Sequence, residues 1–506
     1  MTHSAFPSQT FARCAAGTLK LAICACALVA VAACAYVIIS RIAYTYSLEY
    51  CESAALHTVL RVLEGNPLYV EPSVDYTCYE YTPLYYFVAA AASLLTGPGF
   101  LPLRLVSLIS TLIICILIYL FVKKETTSTW HAAAAIGLFA ALYGHVFAWF
   151  DLARVDMLFI ALFMAALYIL RFHPSRYMPA VAAGLLLFLG WFTKQSVSFM
   201  ILPLFAYLAI TRTRHALATI ATFGAAVALT TLVYNIRSGG WFWFYTVELL
   251  SQQKFLPDQW LGYWTDGVFG KTAILMAASI LYAIRAPRPE KGRWFYLFLL
   301  LGLLAGCWTS RLHSGSSINS LLPLYVFGVI GFTLWAAEAM KQTAGCSPAR
   351  VIQCAAVTFG LFLAQFYNLQ YARAHYIPTQ DIQNLQSGLV DLFASIEGDV
   401  FMPTETSLPY FAGKPPCADH VPTTDLLRGT DSPKMAALEN QFRTAFQSGR
   451  FALLVIKDNA PYYNLFKDTY VELPCKLIDP PVYQLYAPKQ IAPTLTKKLA
   501  PRLPLQ

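Results

Sequence analysis

Long apolar runs, recurring from the N-terminus to about residue 371, constrain this chain more than any other feature. A helix needs about 20 predominantly apolar residues to cross a bilayer. Stretches of or near that length lie at 20–40, 103–122, 131–149, 156–172, 178–193, 196–211, 216–236, 268–285, 294–310, 318–338 and 351–371. Of the 506 residues 57% are hydrophobic and 12% charged, about half the charge of a soluble domain. Disorder, collagen-like repeats and coiled coils are excluded on the same grounds. The expected fold is a polytopic α-helical membrane protein of about 11 transmembrane helices, with a small α/β domain at its C-terminus.

A further apolar stretch, Leu84 to Leu95, follows Pro83 and stops at Thr96-Gly97-Pro98-Gly99. Its length predicts an interfacial or re-entrant helix. Basic residues then set the sides. With 84–95 on the outer surface, Lys123-Lys124, Arg171 with Arg176, Arg212 with Arg214, the Arg285-to-Arg293 cluster and Lys341 with Arg350 all face the cytoplasm. Arg13 and Lys20 do too, so every short loop obeys the positive-inside rule. The net charge of +9 is thereby absorbed, and no basic, aromatic-interleaved stripe for nucleic acid is present. The expectation is an inner or plasma membrane protein with a cytoplasmic N-terminus. Residues 1–371 form the transmembrane domain, with a first outer loop at 41–102, and 372–506 form an extracytoplasmic α/β domain. In that tail, 399–402 and 451–456 read as strands and 432–448 as an amphipathic helix.

Four of the 12 cysteines fall outside the membrane on this map, Cys51 and Cys78 in the first loop and Cys417 and Cys475 in the tail. One disulfide in each segment, or free thiols throughout, fits equally. No CxxC or Cys/His metal spacing occurs, which excludes a zinc ribbon or a redox motif. A divalent metal stays open, and no cofactor is called for.

Polar residues gather where the outer face would be. Glu49 and Glu52 are three apart, so a helix there would put both carboxylates on one face, although acids beyond a span end can simply be solvated. Arg154 and Asp156 stand at the outer start of a span, where Asp156 could equally cap the helix. Thr193-Lys194-Gln195 punctuates two apolar runs. Arg311-Leu312-His313-Ser314-Gly315-Ser316-Ser317-Ile318-Asn319 is a small-residue turn with a cation, suited to an anion. The loop 237–267 carries Trp241, Trp243, Trp260, Tyr263 and Trp264 and suits the membrane interface. Carboxylates and cations from four distant segments on one face suit a phosphate-bearing leaving group and a nucleophile that must lose a proton. The competing class is a transporter or lipid flippase. It would place charged or broken segments near mid-membrane, whereas the middles of these spans are plain Leu, Ala, Phe and Val.

The order of motifs resembles membrane glycosyltransferases of the GT-C fold class, most closely the glycosyltransferase family 39-like group with an RgtA/B/C/D-like domain. The matching residues are Glu49-Tyr50-x-Glu52, Glu64-Gly65-Asn66-Pro67-Leu68-Tyr69, Tyr81-Thr82-Pro83-Leu84-Tyr85-Tyr86, Arg104, Ala153-Arg154-Val155-Asp156-Met157-Leu158, Thr193-Lys194-Gln195 and Gly315-x-x-x-Asn319-x-x-x-Pro323. The resemblance covers about 40–370. It implies transfer of a hexosyl or pentosyl group, usually with inversion, from a polyprenyl-phosphate-linked donor to a lipid, glycan or protein acceptor among the membrane lipids. It also implies a first-loop acid as catalytic base, Glu49 with Glu52 as the alternative, and Asp156 as the second acid. Lys194 and Arg311 would hold the carrier phosphate, and Glu52, Tyr81, Arg154, Gln195, His313 and Asn319 would contact substrate. Thr82 stands where proline is typical, Cys51 where glycine is common, and Ser320 where an aromatic often follows the Asn.

Overall fold

The computed structural model describes residues 9–499 except 174–175, 212, 286–292, 344, 429–432, 458–461 and 478–482. Arg13 has no described side chain, and Arg212 and most of the Arg285-to-Arg293 cluster lie outside the described residues. Each expected span is a helix. They begin with α1 (Gln9–Arg41), and after the first long loop come α4 (Phe100–Thr126), α5 (Thr129–His145), α6 (Asp156–Phe172), α7 (Tyr177–Trp191), α8 (Val197–Thr211) and α9 (Thr213–Arg237). Ala273–Arg285, Arg293–Leu312, Leu322–Lys341 and Pro348–Asn368 complete the set. The first loop holds two shorter helices, α2 (Cys51–Leu63) and α3 (Leu84–Thr96). The latter is the predicted short helix.

Six of these helices are long and apolar enough to cross a membrane, seven if the pair Asp258–Val268 and Ala273–Arg285, bent by 90°, is one span. That is fewer than the expected eleven. The reason is length: α7 and α8 have 15 residues each, about 22 Å at 1.5 Å per residue against ~30 Å of hydrocarbon. The bundle is tied by small residues that let backbones meet, as membrane helices do. A Cβ on Gly137 of α5 would lie 2.3 Å from that of Ala27 in α1, and one on Gly302 would lie 2.0 Å from the Met200 carbonyl of α8. Helix Leu322–Lys341 is the hub, with 94% of its apolar window buried.

The tail carries a four-stranded sheet of β1 (Asp399–Phe401), β2 (Phe451–Lys457), β3 (Tyr470–Leu477) and β4 (Tyr483–Pro488), in the order β1-β2-β4-β3. β1 and β2 run parallel and the other pairs antiparallel. The expected helix appears as Pro433–Gln447. The tail sits on the loop between α1 and α4 through buried polar contacts. The Ala418 amide donates to the Val74 carbonyl at 2.8 Å, His57 Nδ1 meets Asp419 Oδ2 at 2.9 Å, and the hydroxyls of Thr77 and Thr423 pair at 3.0 Å. Glu405 reaches the hydroxyls of Ser47 and Ser53. Cys51 and Cys78 are buried free thiols, so no disulfide joins them, and the Cys78 sulfur faces the Tyr79 carbonyl instead. Cys417 is likewise a buried thiol, and the side chain of Cys475 lies outside the described residues.

Candidate active site

Four chain segments meet at one end of the bundle: the start of α2, the stretch between α5 and α6, the α7–α8 turn, and the short helix Ile318–Leu321. The two first-loop glutamates do not share a helix face as their spacing predicts. α2 begins at Cys51, so Glu49 lies in the turn before it and Glu52 in its first turn. With Glu49 two residues ahead of the helix start, the two carboxylates meet different partners.

Glu52 is fully buried and fully engaged. Arg104 holds it with two bonds, Nε to Oε1 at 3.1 Å and Nη2 to Oε2 at 2.6 Å. The Ala153 amide donates to Oε1 and the Leu48 amide to Oε2, both at 2.7 Å. A carboxylate has about four lone-pair sites, and all are occupied. Burial pushes its pKa up, but Arg104 and the two amides more than offset that and hold it below the ordinary value. Two further Arg104 donors go to the carbonyls of Tyr44 and Tyr46. The pair thus stitches α4, α2, the α1–α2 turn and residue 153 together.

Glu49 is the opposite case. Its Oε2 is buried and has no hydrogen-bond partner. Arg154 Nη1 is 3.9 Å away, close enough for charge attraction and too far for a hydrogen bond. Burial raises the Glu49 pKa, with Arg154 acting against it. Arg154 also lies over the Trp149 ring at 5.2 Å and the Tyr79 ring at 5.7 Å, and its Nε is an unpartnered donor.

Asp156, the first residue of α6, is fully buried among three donors. Lys194 Nζ reaches Oδ1 at 2.7 Å, Asn319 Nδ2 reaches the same oxygen at 3.2 Å, and Trp149 Nε1 reaches Oδ2 at 2.7 Å. Lys194 and Asn319, 125 positions apart in sequence (319 minus 194), are thus brought to one carboxylate. Burial would lower the Lys194 pKa, but Asp156 more than offsets this and keeps the ammonium charged. Lys194 also lies 5.4 Å over the ring of Tyr81, so Tyr81 borders the Asp156 cluster. Gln195 turns away, its amide donating to the carbonyls of Glu80 and Thr246, while its Oε1 is unpartnered.

The two expected residues of the 311–317 turn are less central. Arg311 Nη1 binds the Ser316 carbonyl at 2.9 Å, and His313 stacks on Phe255 at 5.0 Å with an unpartnered Nδ1. Among the described residues no hydrogen bond or ion pair joins either to Glu49, Asp156 or Lys194. Instead the tail comes down on this turn. A Cβ on Gly315 would sit 3.3 Å from an Asp425 oxygen and 3.4 Å from an Arg428 nitrogen.

Three contributors carry no mark in the sequence. Trp149 orients Asp156, Tyr79 lies under Arg154, and Glu80 accepts from Gln253 at 2.6 Å. Burial, followed by the nearby Asp425, pushes Glu80 well above the ordinary carboxylate range. Arg104 was marked by motif order, but nothing local indicated that Glu52 is its partner. Thr82, in place of the usual proline, donates to the Trp191 carbonyl at 2.6 Å, so the substitution ties the first loop to the end of α7. No group of three or more His, Cys, Asp or Glu side chains able to hold a metal occurs among the described residues. A divalent ion at Glu49 would need oxygens from substrate.

Residues 80–236 match the family model described as dolichyl-phosphate-mannose-protein mannosyltransferase. By sequence, no curated protein matches the chain. By structure, it is similar to ArnT from Cupriavidus metallidurans bound to undecaprenyl phosphate, with a TM-score of 0.58 at 15% identity over 93% of this chain and 98% of that one. The fold is GT-C. A second neighbour is the archaeal oligosaccharyltransferase AglB from Archaeoglobus fulgidus, in complex with an inhibitory peptide and a dolichol-phosphate. Its TM-score is 0.54 at 12% identity, over 93% of this chain and 74% of that one. The GT-C fold with its strongly apolar helices makes this an integral membrane protein.

Proposed function

We propose that the protein transfers a sugar, hexosyl or pentosyl, from a polyprenyl-phosphate-linked donor to a lipid, glycan or protein acceptor at the outer membrane face. The reading takes all eleven helices as spans, with the N-terminus inside and the tail outside. Its carrying observation is the contrast among the acids: Glu52 accepts from four donors and Asp156 from three, whereas Glu49 presents a partnerless oxygen. A carboxylate raised by burial and free to accept is suited to take a proton.

In this reaction the acceptor hydroxyl gives its proton to Glu49 as its oxygen attacks the anomeric carbon. The bond from that carbon to the phosphate oxygen breaks, and polyprenyl phosphate leaves from the opposite face, inverting the centre. Lys194 has three donors and uses one on Asp156, leaving others for the phosphate. The unpartnered Arg154 Nε adds positive charge where negative charge develops, and Arg311 contributes its charge from the margin of the site. Asp156 holds Lys194 in place. Tyr81 and Asn319, which border the Asp156 cluster, face the substrate, Gln195 and His313 act at its margin, and Glu52 acts through the backbone it braces.

Support comes from the matched family model and from the carrier phosphates bound to both structural neighbours, undecaprenyl phosphate in one and a dolichol-phosphate in the other. Purified protein offered a panel of polyprenyl-phosphate hexoses and pentoses should release polyprenyl phosphate from one of them when membrane lipid, glycan or protein acceptor is added. Failure to consume any donor, together with carrier movement between leaflets, would replace this reading with a flippase.

A further inference from the structure

The chain between α5 and α6 makes an unusual turn. Phe147 and Ala148 both adopt left-handed backbone, with φ of 51° and 58°, which crowds Cβ against the following carbonyl. Two such residues in succession, neither a glycine, persist only where the surroundings over-determine them. Phe147 is 61% exposed, so packing of its ring does not hold the turn.

A buried polar fork does. Arg41, the last residue of α1, sends Nη2 to the Ala148 carbonyl at 2.6 Å and to Asp151 Oδ1 at 2.6 Å. Its Nε reaches Asp151 Oδ2 at 2.9 Å. Tyr143 donates its hydroxyl to Asp151 Oδ1 at 2.8 Å, and the Ala148 amide returns to the Tyr143 carbonyl at 2.7 Å. Arg41 and Asp151 are 4% and 0% exposed at their side chains. Such a pair is costly to bury and adds little net stability over apolar packing.

The residues that follow the turn are those of the site. Trp149 donates to Asp156, the Ala153 amide to Glu52, and Arg154 faces Glu49. We infer that Arg41 and Asp151 are positioning residues of the active site, their fork fixing the strained turn at 147–148 so that Trp149 is aimed at Asp156 and Arg154 at Glu49. The inference rests on the transferase reading for its kinetic consequence but not for its structural one.

Two variants test it. Arg41→Lys keeps the charge and loses the fork, since one ammonium cannot serve the Ala148 carbonyl and both carboxylate oxygens in the same geometry. Arg41→Gln with Asp151→Asn removes both charges and leaves no unpaired ion. In each, kcat should fall about 10–100-fold, the cost of a misplacement of about 1 Å, while KM for donor and binding of polyprenyl phosphate stay within about twofold. Amides of 147–153 should exchange faster with deuterium than in the parent, and those of 51–63 should not. Adding Ala148→Gly, which takes positive φ without a Cβ penalty, should recover part of kcat. The inference is overturned if the double variant keeps parental kcat and exchange. It is equally overturned if the stoichiometry of polyprenyl phosphate binding and the thermal midpoint fall in step with kcat at unchanged KM and glycine restores nothing, the signature of lost folded protein. Should the parent consume no donor, the transferase reading fails, and the exchange of 147–153 still decides whether the fork holds the turn.

Discussion

Glu49 and Glu52 lie three positions apart, the first partly exposed and the second fully buried, and live in opposite surroundings. Glu52 has a guanidinium in bidentate contact and two backbone amides, so every lone pair is committed and its proton is lost easily. Glu49 has one guanidinium at 3.9 Å and an oxygen with no partner. The first arrangement fixes geometry; the second leaves a basic atom available. What separates them is which backbone donors and which arginine each meets, Glu52 inside the first turn of α2 and Glu49 two residues before it.

The contrast breaks most visibly at Glu52. Arg104→Met would leave a buried carboxylate without its ion partner, and losing half of such a pair costs about 3–5 kcal/mol. We expect loss of folded protein in detergent, read by size-exclusion profile and thermal midpoint, with activity lost only in proportion to protein lost. A well-folded, inactive Arg104→Met would instead move Glu52 into the chemistry.

Lys194→Ala comes next. With a charge-assisted contact worth about 1.5–3 kcal/mol, affinity for polyprenyl phosphate should drop about 10–100-fold, measured by titration in nanodiscs. Unchanged affinity would mean that Lys194 serves Asp156 alone.

Arg154→Gln sharpens the comparison through pH. Burial raises the Glu49 pKa and Arg154 opposes it, so removing the guanidinium moves that pKa further up. The base must be ionised to work, and the acid limb of the rate profile should therefore shift to higher pH. A shift to lower pH, or none, would show that another group sets that limb.

The smallest effect concerns the tail. Burial pushes Glu405 to about 7 from an ordinary 4.5, with Glu49 and Glu52 adding to the rise and the hydroxyls of Ser47 and Ser53 opposing it. A folded-state pKa above the unfolded one gives stability that is complete below 4.5 and is lost as pH climbs through about 7. The thermal midpoint should decline across that window, and Glu405→Gln should flatten the decline. An equal slope in the variant would acquit Glu405.

The helices were legible because apolar runs declare themselves, and the tail helix at 433–447 because its periodicity does. Span number was less so, since α7 and α8 are apolar throughout yet short. Asp156 and Lys194 were each visible as charges at span ends, but their 2.7 Å pairing arises from the packing of helices far apart in sequence. Arg311 and His313 looked equal to Lys194 as outer-face cations and polar groups, and only the path of the 311–317 turn places them aside. Trp149 offered no signal, because one aromatic among many in an apolar chain does not announce a hydrogen bond. The share of Glu49 and Glu52 could not be divided from spacing, which assumed a helix starting before residue 49.

That division is therefore the point to measure. Glu49→Gln preserves size and removes the base. With purified protein, a consumed polyprenyl-phosphate sugar and its acceptor, turnover should fall about 10²–10⁴-fold while polyprenyl phosphate binds as tightly as before. Near-parental turnover in Glu49→Gln would contradict the account and return the proton to another acid.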